Sequence, residues 1–268
     1  MSPPAPRFSI ITVVKDDVAG AIATLASVFA QTCPDYEVIV QDGASTDGTT
    51  EAMEGFGDWI DDFQSAPDSG IYEAMNRALA RARGDWVQFL NAGDVFADPG
   101  VLARVSDRLR DRVDILVGQA IRAEDGMVHE YLPRDMFWAG SINDHQASFV
   151  RRGPAQELGF DARFRVAGDL DFFTRARDRG LVDRAEEIAV VRKPFATGVS
   201  TDFMARFRER AEILIGRYDG EHPVRKVLAR SLRGHLRQVY APPEELLKGS
   251  DLDRLLELEA RWAARRAA

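Results

Sequence analysis

The stretch FSIITVVKDDVAGAIATLASVFAQTCPDYEVIVQ, Phe8 to Gln41, decides the fold. Its opening, FSIITVV, is a short continuous apolar run rich in β-branched residues, which predicts a buried strand. From Gly20 to Gln31 the apolar positions Ile22, Leu25, Ala26, Val28 and Phe29 recur at helical spacing. YEVIVQ, Tyr36 to Gln41, then reads as a second strand. The alternation continues: the turn DGASTDGT, a helix near Thr49 to Phe56, a weaker strand from Trp59 to Ser65, and a helix over Gly70 to Arg83. A strand follows at Trp86 to Leu90, a helix at Pro99 to Leu109 and a strand at Val113 to Val117. Strand–helix alternation at this spacing implies βαβ units, hence an α/β fold with a mostly parallel central sheet flanked by helices.

Beyond this half the signals thin. Met127 to Val150 holds two candidate strands, MVHEYL and ASFV, around the pair Phe137–Trp138. After Ser200 the chain turns helical, with Phe203 to Tyr218 and two later runs, and DGEHP at Asp219–Pro223 breaks that pattern. The expected organisation is a catalytic domain over 1–218, its halves meeting near residues 98 and 99, and a helical C-terminal extension over 219–268.

Composition narrows the class. At 45% hydrophobic and 29% charged residues, 268 residues suit a soluble protein with a sizeable core. A net charge of -8 argues against a general nucleic-acid binder, which needs an excess of Lys and Arg. The single cysteine, Cys33, cannot form an internal disulfide, and no Cys/His cluster has zinc spacing. No run approaches the ~18 apolar residues of a membrane span, and MSPPAPRFSIITVV lacks a signal-peptide core. The expectation is a cytoplasmic protein, with the inner face of the plasma membrane as a site of peripheral attachment.

In parallel sheets, ligands sit at the carboxyl ends of strands. The residues there are Lys15–Asp16, Asp42–Asp47, Asp68 and Asn91–Asp94, with more acids than turn chemistry alone needs. In DGASTDG, Ser45, Thr46 or Asp47 can cap the next helix, while Asp42 can accept from the imide N–H of a pyrimidine base and Gly43 admit the ligand; the two readings are compatible. Asp68 or Ser69 can cap the helix that follows PDSG. Asn76, a mediocre helix former, lies one position from Met75 on the core stripe and is expected toward the cleft; Arg77 reads as solvated surface. In FLNAGDVF, Asp98–Pro99 already starts the next helix, which leaves Asp94 without a capping duty. A divalent cation bound with a diphosphate needs few protein ligands, so one carboxylate can suffice. In RVAGDLDFFTRA, Asp169 and Asp171 share a face if the segment is a strand, and Asp169 is an N-cap if it starts a helix. Either acid, held partly out of water, could serve as a general base.

These stretches, with HQASFVRR and FDARFRVAGDLDF downstream, resemble the inverting family 2 glycosyltransferases of GT-A (Rossmann-like) fold, over roughly Phe8 to Ser200. The resemblance is nearest to bacterial enzymes that build exopolysaccharide, capsule or lipopolysaccharide. It implies that Thr12 and Val14 line the nucleotide pocket, that Asp42 with Gly43 contacts the base, and that Asp68 and Asn76 border the nucleotide or ribose. The family's Asp-x-Asp falls on Asn91, Ala92, Gly93 and Asp94, with Asp94 at the metal-contacting acid. Asp169 falls on the catalytic base, and His145 and Gln146 on the acceptor side. The chain departs from the family at Ala92–Gly93, where a second acid is common. The implied reaction moves one sugar from a nucleotide diphosphosugar, UDP-sugar by family habit, to a hydroxyl of a glycan or lipid-linked acceptor, with Mg²⁺ or Mn²⁺.

Two alternatives compete. A sugar-phosphate nucleotidyltransferase usually needs a Gly-rich basic loop after the first strand, where this chain reads TVVKDDVAG with Lys15 as the cation. A degenerate, non-catalytic sugar-nucleotide-binding protein draws support from the incomplete acid pair, against which stand Asp42, Asp94 and Asp169. Finally, His222 to Tyr240 carries Arg225, Lys226, Arg230, Arg233 and Arg237 and no acid. Such a basic amphipathic helix rests on an anionic membrane or packs on the protein with its charges in solvent. The terminal helix, Asp251 to Arg266, reads equally as a contact for a partner or for a homodimer.

Overall fold

The computed structural model describes residues 5–109, 112–128, 144–193, 202–242 and 244–267. Strand β1 (Phe8–Val14) is buried along its whole length. It is paired in parallel with β2 (Tyr36–Asp42) and with β4 (Trp86–Phe89). The intervening helix α1 (Val18–Phe29) is capped by Asp17, whose carboxylate accepts from the Gly20 N–H, and buries Ala21, Thr24, Leu25 and Val28. After α2 (Thr49–Gly55), a 3₁₀ turn over Gly57–Trp59 takes up the start of the expected third strand, so β3 is only Asp62–Ser65, parallel to β2. Helix α3 (Ile71–Arg81) turns Tyr72, Ala74, Met75, Ala78 and Leu79 inward and leaves Ile71 half-buried.

The other half of the sheet is mixed. After β5 (Val95–Phe96) and α4 (Val101–Arg108), strand β6 (Ile115–Arg122) runs longer than its apolar core suggests. Strand β7 (Ser148–Arg151) joins β4 to β6 antiparallel to both; β8 (Asp183–Lys193) is parallel to β6, and β5 is antiparallel to β8. The order is β3-β2-β1-β4-β7-β6-β8-β5. The fold is thus the expected α/β class, with the parallel arrangement confined to the four strands at one side and to the β6–β8 pair. Between β7 and β8 lie α5 (Arg152–Leu158) and α6 (Gly168–Asp178). RVAGDLDF therefore enters a helix. Of the candidate strand MVHEYL, Met127 and Val128 are described, and Val128 bridges Ile121; the remainder and Phe137–Trp138 lie outside the described residues.

The chain divides into two compact units, the second comprising the helices from residue 202 on. These are α7 (Phe203–Tyr218), α8 (Val224–Tyr240), α9 (Glu244–Leu247) and α10 (Leu252–Ala267). The division thus falls ahead of the Asp219–Pro223 break expected from sequence. Helix α7 belongs with the later helices because Phe203 stacks on His235 at 3.9 Å and Arg208 bonds the buried Glu259. Among the described residues no helix is long and apolar enough to cross a membrane.

Candidate active site

The loops at the carboxyl ends of β1 and β2 lock onto each other. The Asp16 N–H donates to Ser45 Oγ, the Thr46 N–H to Asp16, and the Val18 N–H to Asp47. Asp47 also takes the Thr49 N–H and hydroxyl at the start of α2. The surplus of acids here is therefore spent largely on loop donors.

Asp42 belongs to the same economy. It is fully buried, and its oxygens accept from the Ser45 N–H and from the hydroxyls of Ser45, Thr50 and Ser65. Burial alone would push its pKa up; those donors outweigh it and hold the carboxyl below its ordinary value. With its lone pairs committed, a base could engage Asp42 only by displacing a loop hydroxyl, which departs from the expected open contact. A Cβ at Gly43 would come within 2.8 Å of Asp68 Oδ2 and 3.2 Å of Lys15 Cδ, side-chain atoms that would have to turn aside. Asp68 accepts from the Gly70 N–H and is half-buried.

Further expected site positions are buried or hydrogen-bonded within the chain. Thr12 and Val14 lie in the interior, 0% and 6% exposed, and so do not form an open pocket wall; Val14 is part of the apolar core. Asn76 is spent on structure: its amide nitrogen donates to the Phe160 carbonyl at 2.8 Å and its oxygen accepts the Phe160 N–H at 2.7 Å. A mid-helix Asn beside the core stripe reaches the neighbouring loop, and both halves of its amide find backbone partners there. Arg77 pairs with Glu73 on its own helix.

The Asn91–Asp94 turn is clamped by a residue that the apolar pattern hides. Thr24, on the buried stripe of α1, accepts the Gly93 N–H at 3.0 Å and donates to the Asp94 carbonyl at 2.7 Å. Gly93 sits at φ 89°, left-handed backbone that favours glycine at the position where the family often has an acid. Ala92 N–H donates to Val13, tying the turn to β1. The signal for Thr24 is a hydroxyl at a core position of an otherwise apolar helix.

Asp94 is 7% exposed, and burial pushes its pKa up to about 6. Lys193, His145 and a hydrogen bond with Gln146 pull it down without cancelling the burial, and Asp144 adds to the rise. Lys193, at the end of β8, pairs with Asp144 and donates to Gln146 Oε1 at 3.2 Å. The sequence reading missed Lys193 and Asp144, which come from segments distant in sequence with no shared motif.

His145 and Gln146 lie in a 3₁₀ turn leading into β7. His145 Nε2 is 3.1 Å from Asn91 Nδ2, and its Nδ1 is 3.3 Å from Asp169 Oδ2. Asp169 stands in the first turn of α6, where the helix dipole favours a carboxylate. Its neighbour Asp171 is occupied otherwise, paired with Arg175, which also donates to the Leu158 and Gly159 carbonyls. Helix α6 is seated by rings: Phe160 stacks on Tyr72 and on Phe172, with centroids 5.4 and 4.7 Å apart. Gly168 lets Tyr72 pass, since a Cβ there would lie 2.7 Å from its ring.

The structure thus joins Asn91, Asp94, His145, Gln146 and Asp169 in one network, while Asp42 and Asn76 are hydrogen-bonded outside it. Among the described residues no group of three or more His, Cys, Asp or Glu is placed to hold a metal.

Comparison with known proteins bears on the family and the fold. Residues 9–184 match the family model "Glycosyl transferase family 2". A PGL/p-HBAD biosynthesis glycosyltransferase of Mycobacterium bovis (strain BCG / Pasteur 1173P2) is 32% identical over 203 residues, covering 69% of this chain and 76% of that protein. The putative teichuronic acid biosynthesis glycosyltransferase TuaG of Bacillus subtilis (strain 168) is 29% identical over 116 residues, 38% of this chain and 42% of that one. Among solved structures, S. aureus TarS 1–349 in complex with UDP-GlcNAc superposes with a TM-score of 0.66 at 18% identity, covering 87% of this chain and 74% of that one. The mannosyltransferase PcManGT of Pyrobaculum calidifontis, in complex with GDP-Man and Mn²⁺, does so at 0.62 and 20%, covering 97% and 76%.

Proposed function

The chain belongs to glycosyl transferase family 2, and on that premise we propose that it moves one sugar from a nucleotide diphosphosugar to a hydroxyl, with inversion at the anomeric carbon. The carrying observation is that Asp94 and Asp169, far apart in sequence, enter one network through Asn91, His145 and Gln146. One base without an enzymic nucleophile suits single displacement. Asp169 takes the acceptor's proton as that oxygen attacks the anomeric carbon; the bond to the diphosphate breaks on the opposite face, and the diphosphate leaves with the electron pair.

Asp94 fits a hard divalent cation. It is a buried oxygen donor whose charge Lys193 and His145 leave undercompensated, and a diphosphate and water can complete the shell. Mg²⁺ or Mn²⁺ at that position would supply Lewis-acid stabilisation of the leaving diphosphate. Gln146 holds the Asp94 carboxylate by a hydrogen bond and is itself held by Lys193, while the left-handed turn at Gly93 leaves room beside it.

A UDP-sugar is the donor we favour, supported by the UDP-GlcNAc complex of TarS. Relatives named for PGL/p-HBAD and teichuronic acid biosynthesis support a glycan or lipid-linked acceptor in surface polysaccharide synthesis. Peripheral membrane contact would run through 222–240, where Lys226 and Arg230 are exposed while Arg225, Arg233 and Arg237 bond within the helical unit.

The test is a screen of UDP-, GDP- and dTDP-sugars with and without Mn²⁺, scoring the released product. Free UDP is expected; UTP and sugar 1-phosphate formed from the UDP-sugar only when pyrophosphate is added would revive the nucleotidyltransferase alternative. Asp169→Asn should keep donor affinity and lose about 10²–10⁴-fold in turnover. Wild-type turnover in that variant would sink the assignment of the base.

A further inference from the structure

Asn91, His145 and Asp169 come from three separate elements: the turn after β4, the 3₁₀ turn before β7 and the first turn of α6. They form a line, Asn91 Nδ2 to His145 Nε2 at 3.1 Å and His145 Nδ1 to Asp169 Oδ2 at 3.3 Å. An amide nitrogen has only hydrogens to offer, so the ring nitrogen facing it must be the one with the lone pair. A neutral His145 then carries its proton on Nδ1, aimed at Asp169. The other oxygen of Asp169 is held as well, accepting the Leu170 N–H at 2.8 Å with the Tyr72 hydroxyl 3.5 Å away. The carboxylate is therefore tethered at both oxygens, while its side chain stays 15% exposed and open to an incoming hydroxyl.

We propose that Asn91 and His145 are positioning residues for Asp169: Asn91 pins His145 in the Nδ1-protonated tautomer, and that N–H holds Asp169 Oδ2 in the orientation that receives the acceptor's proton. This rests on the reading of Asp169 as the base. His145 and Asn91 move no proton in the reaction; the transferred proton ends on Asp169. The arrangement gives Asn91 a duty independent of any metal, in the same turn that carries Asp94. It also accounts for an Asn at a 9% exposed position where an acid would repel Asp94 and Asp169. A carboxylate free to rotate would present a lone pair to the acceptor only part of the time, and misplacement of a reacting group is costly in rate.

Two measurements decide it. The full chain contains four histidines, so ¹⁵N-histidine labelling and long-range ¹H–¹⁵N correlation at neutral pH can read each ring, with His145 identified by its loss in His145→Asn. The expected result is the Nδ1–H tautomer in the wild type and a mixture of tautomers in Asn91→Ala. An Nε2–H ring in the wild type would mean that the Asn91 amide is turned over, and would overturn the proposal. The second measurement is release of UDP from UDP-GlcNAc. Asn places its amide nitrogen where His has Nδ1, and Gln where His has Nε2. His145→Asn should therefore keep most of kcat, while His145→Gln and His145→Ala lose about ten- to a hundred-fold with the donor KM unchanged. A better rate for Gln than for Asn would show that side-chain bulk, not the N–H, matters, and would also overturn it. Asp169→Asn in the same assay separates the two readings: wild-type turnover there fails the base assignment, whereas the tautomer reports on the pinning alone.

Discussion

Glu37 and Asp94 are both almost fully buried acids of the α/β unit, 2% and 7% exposed, and they are held in opposite ways. Glu37 lies at the amino end of β2, where it accepts from Ser9 Oγ, from the Arg83 and Gly84 N–H groups and from the Arg83 guanidinium. Burial pushes its pKa up, and that ring of donors more than reverses the push, leaving it below the usual value. Asp94 lies at the carboxyl ends of the strands, where burial wins and its pKa rises to about 6. The difference separates two uses of a buried charge. One end of the sheet satisfies its acid and gains a structural tie. The other leaves its acid short of donors, which is the condition of a group meant to receive something else.

The sharpest way to break this comparison is Asp94→Asn, read as stability. Because the folded pKa of Asp94 lies above the unfolded one, the native protein keeps a proton that the unfolded chain has lost. Stability therefore falls as pH rises from about 4 to about 6, by about 3 kcal/mol in all. Without added metal, Asp94→Asn should gain up to about 3 kcal/mol at about pH 8 and nothing near pH 4, as thermal melts at the two pH values would show. The same variant should lose metal-dependent turnover. A gain that is equal at both pH values would remove the contrast with Glu37.

Glu37→Gln should behave with the reverse sign. Its contribution is present above the unfolded carboxyl pKa and is lost as pH falls through the depressed folded value. We expect a loss of about 1–3 kcal/mol at neutral pH, with turnover per folded molecule unchanged, since donors there would face a poorer acceptor. Denaturant titration alongside the UDP-release assay checks both halves.

The smallest effect concerns Asn76, which the sequence places at the nucleotide and the structure places on Phe160. Asn76→Ala should cost about 1 kcal/mol, because a gain in helix propensity partly offsets two lost hydrogen bonds. Its donor KM should match the wild type. A raised KM would return Asn76 to the ribose.

Much of this was legible without coordinates. Strand β1 and helix α7 fall within the ranges their patterns predict, because apolar periodicity reports directly on which face a segment buries. Asp94 stood out as an acid without a capping duty, whereas Asp169 was set apart from Asp171 only by the family resemblance. Asp42 and Asn76 could not be judged the same way. A polar residue at a strand end or beside a core stripe looks alike whether it meets a ligand or a neighbouring backbone group, and only the arrangement of Ser45, Thr50, Ser65 and Phe160 around them distinguishes the two.

By itself the sequence determined the α/β class, since local periodicity carries that signal, and it offered the carboxyl-end loops and Asp94 as candidates from residue chemistry and Asp169 from the family resemblance. The tertiary structure alone decided which acids are satisfied and which are not. It put Lys193 beside Asp144, Thr24 beneath the Gly93 turn, and His145 between Asn91 and Asp169. Hydrogen-bond partners and burial set the state of a charged group, and both depend on segments that meet only when the sheet is assembled.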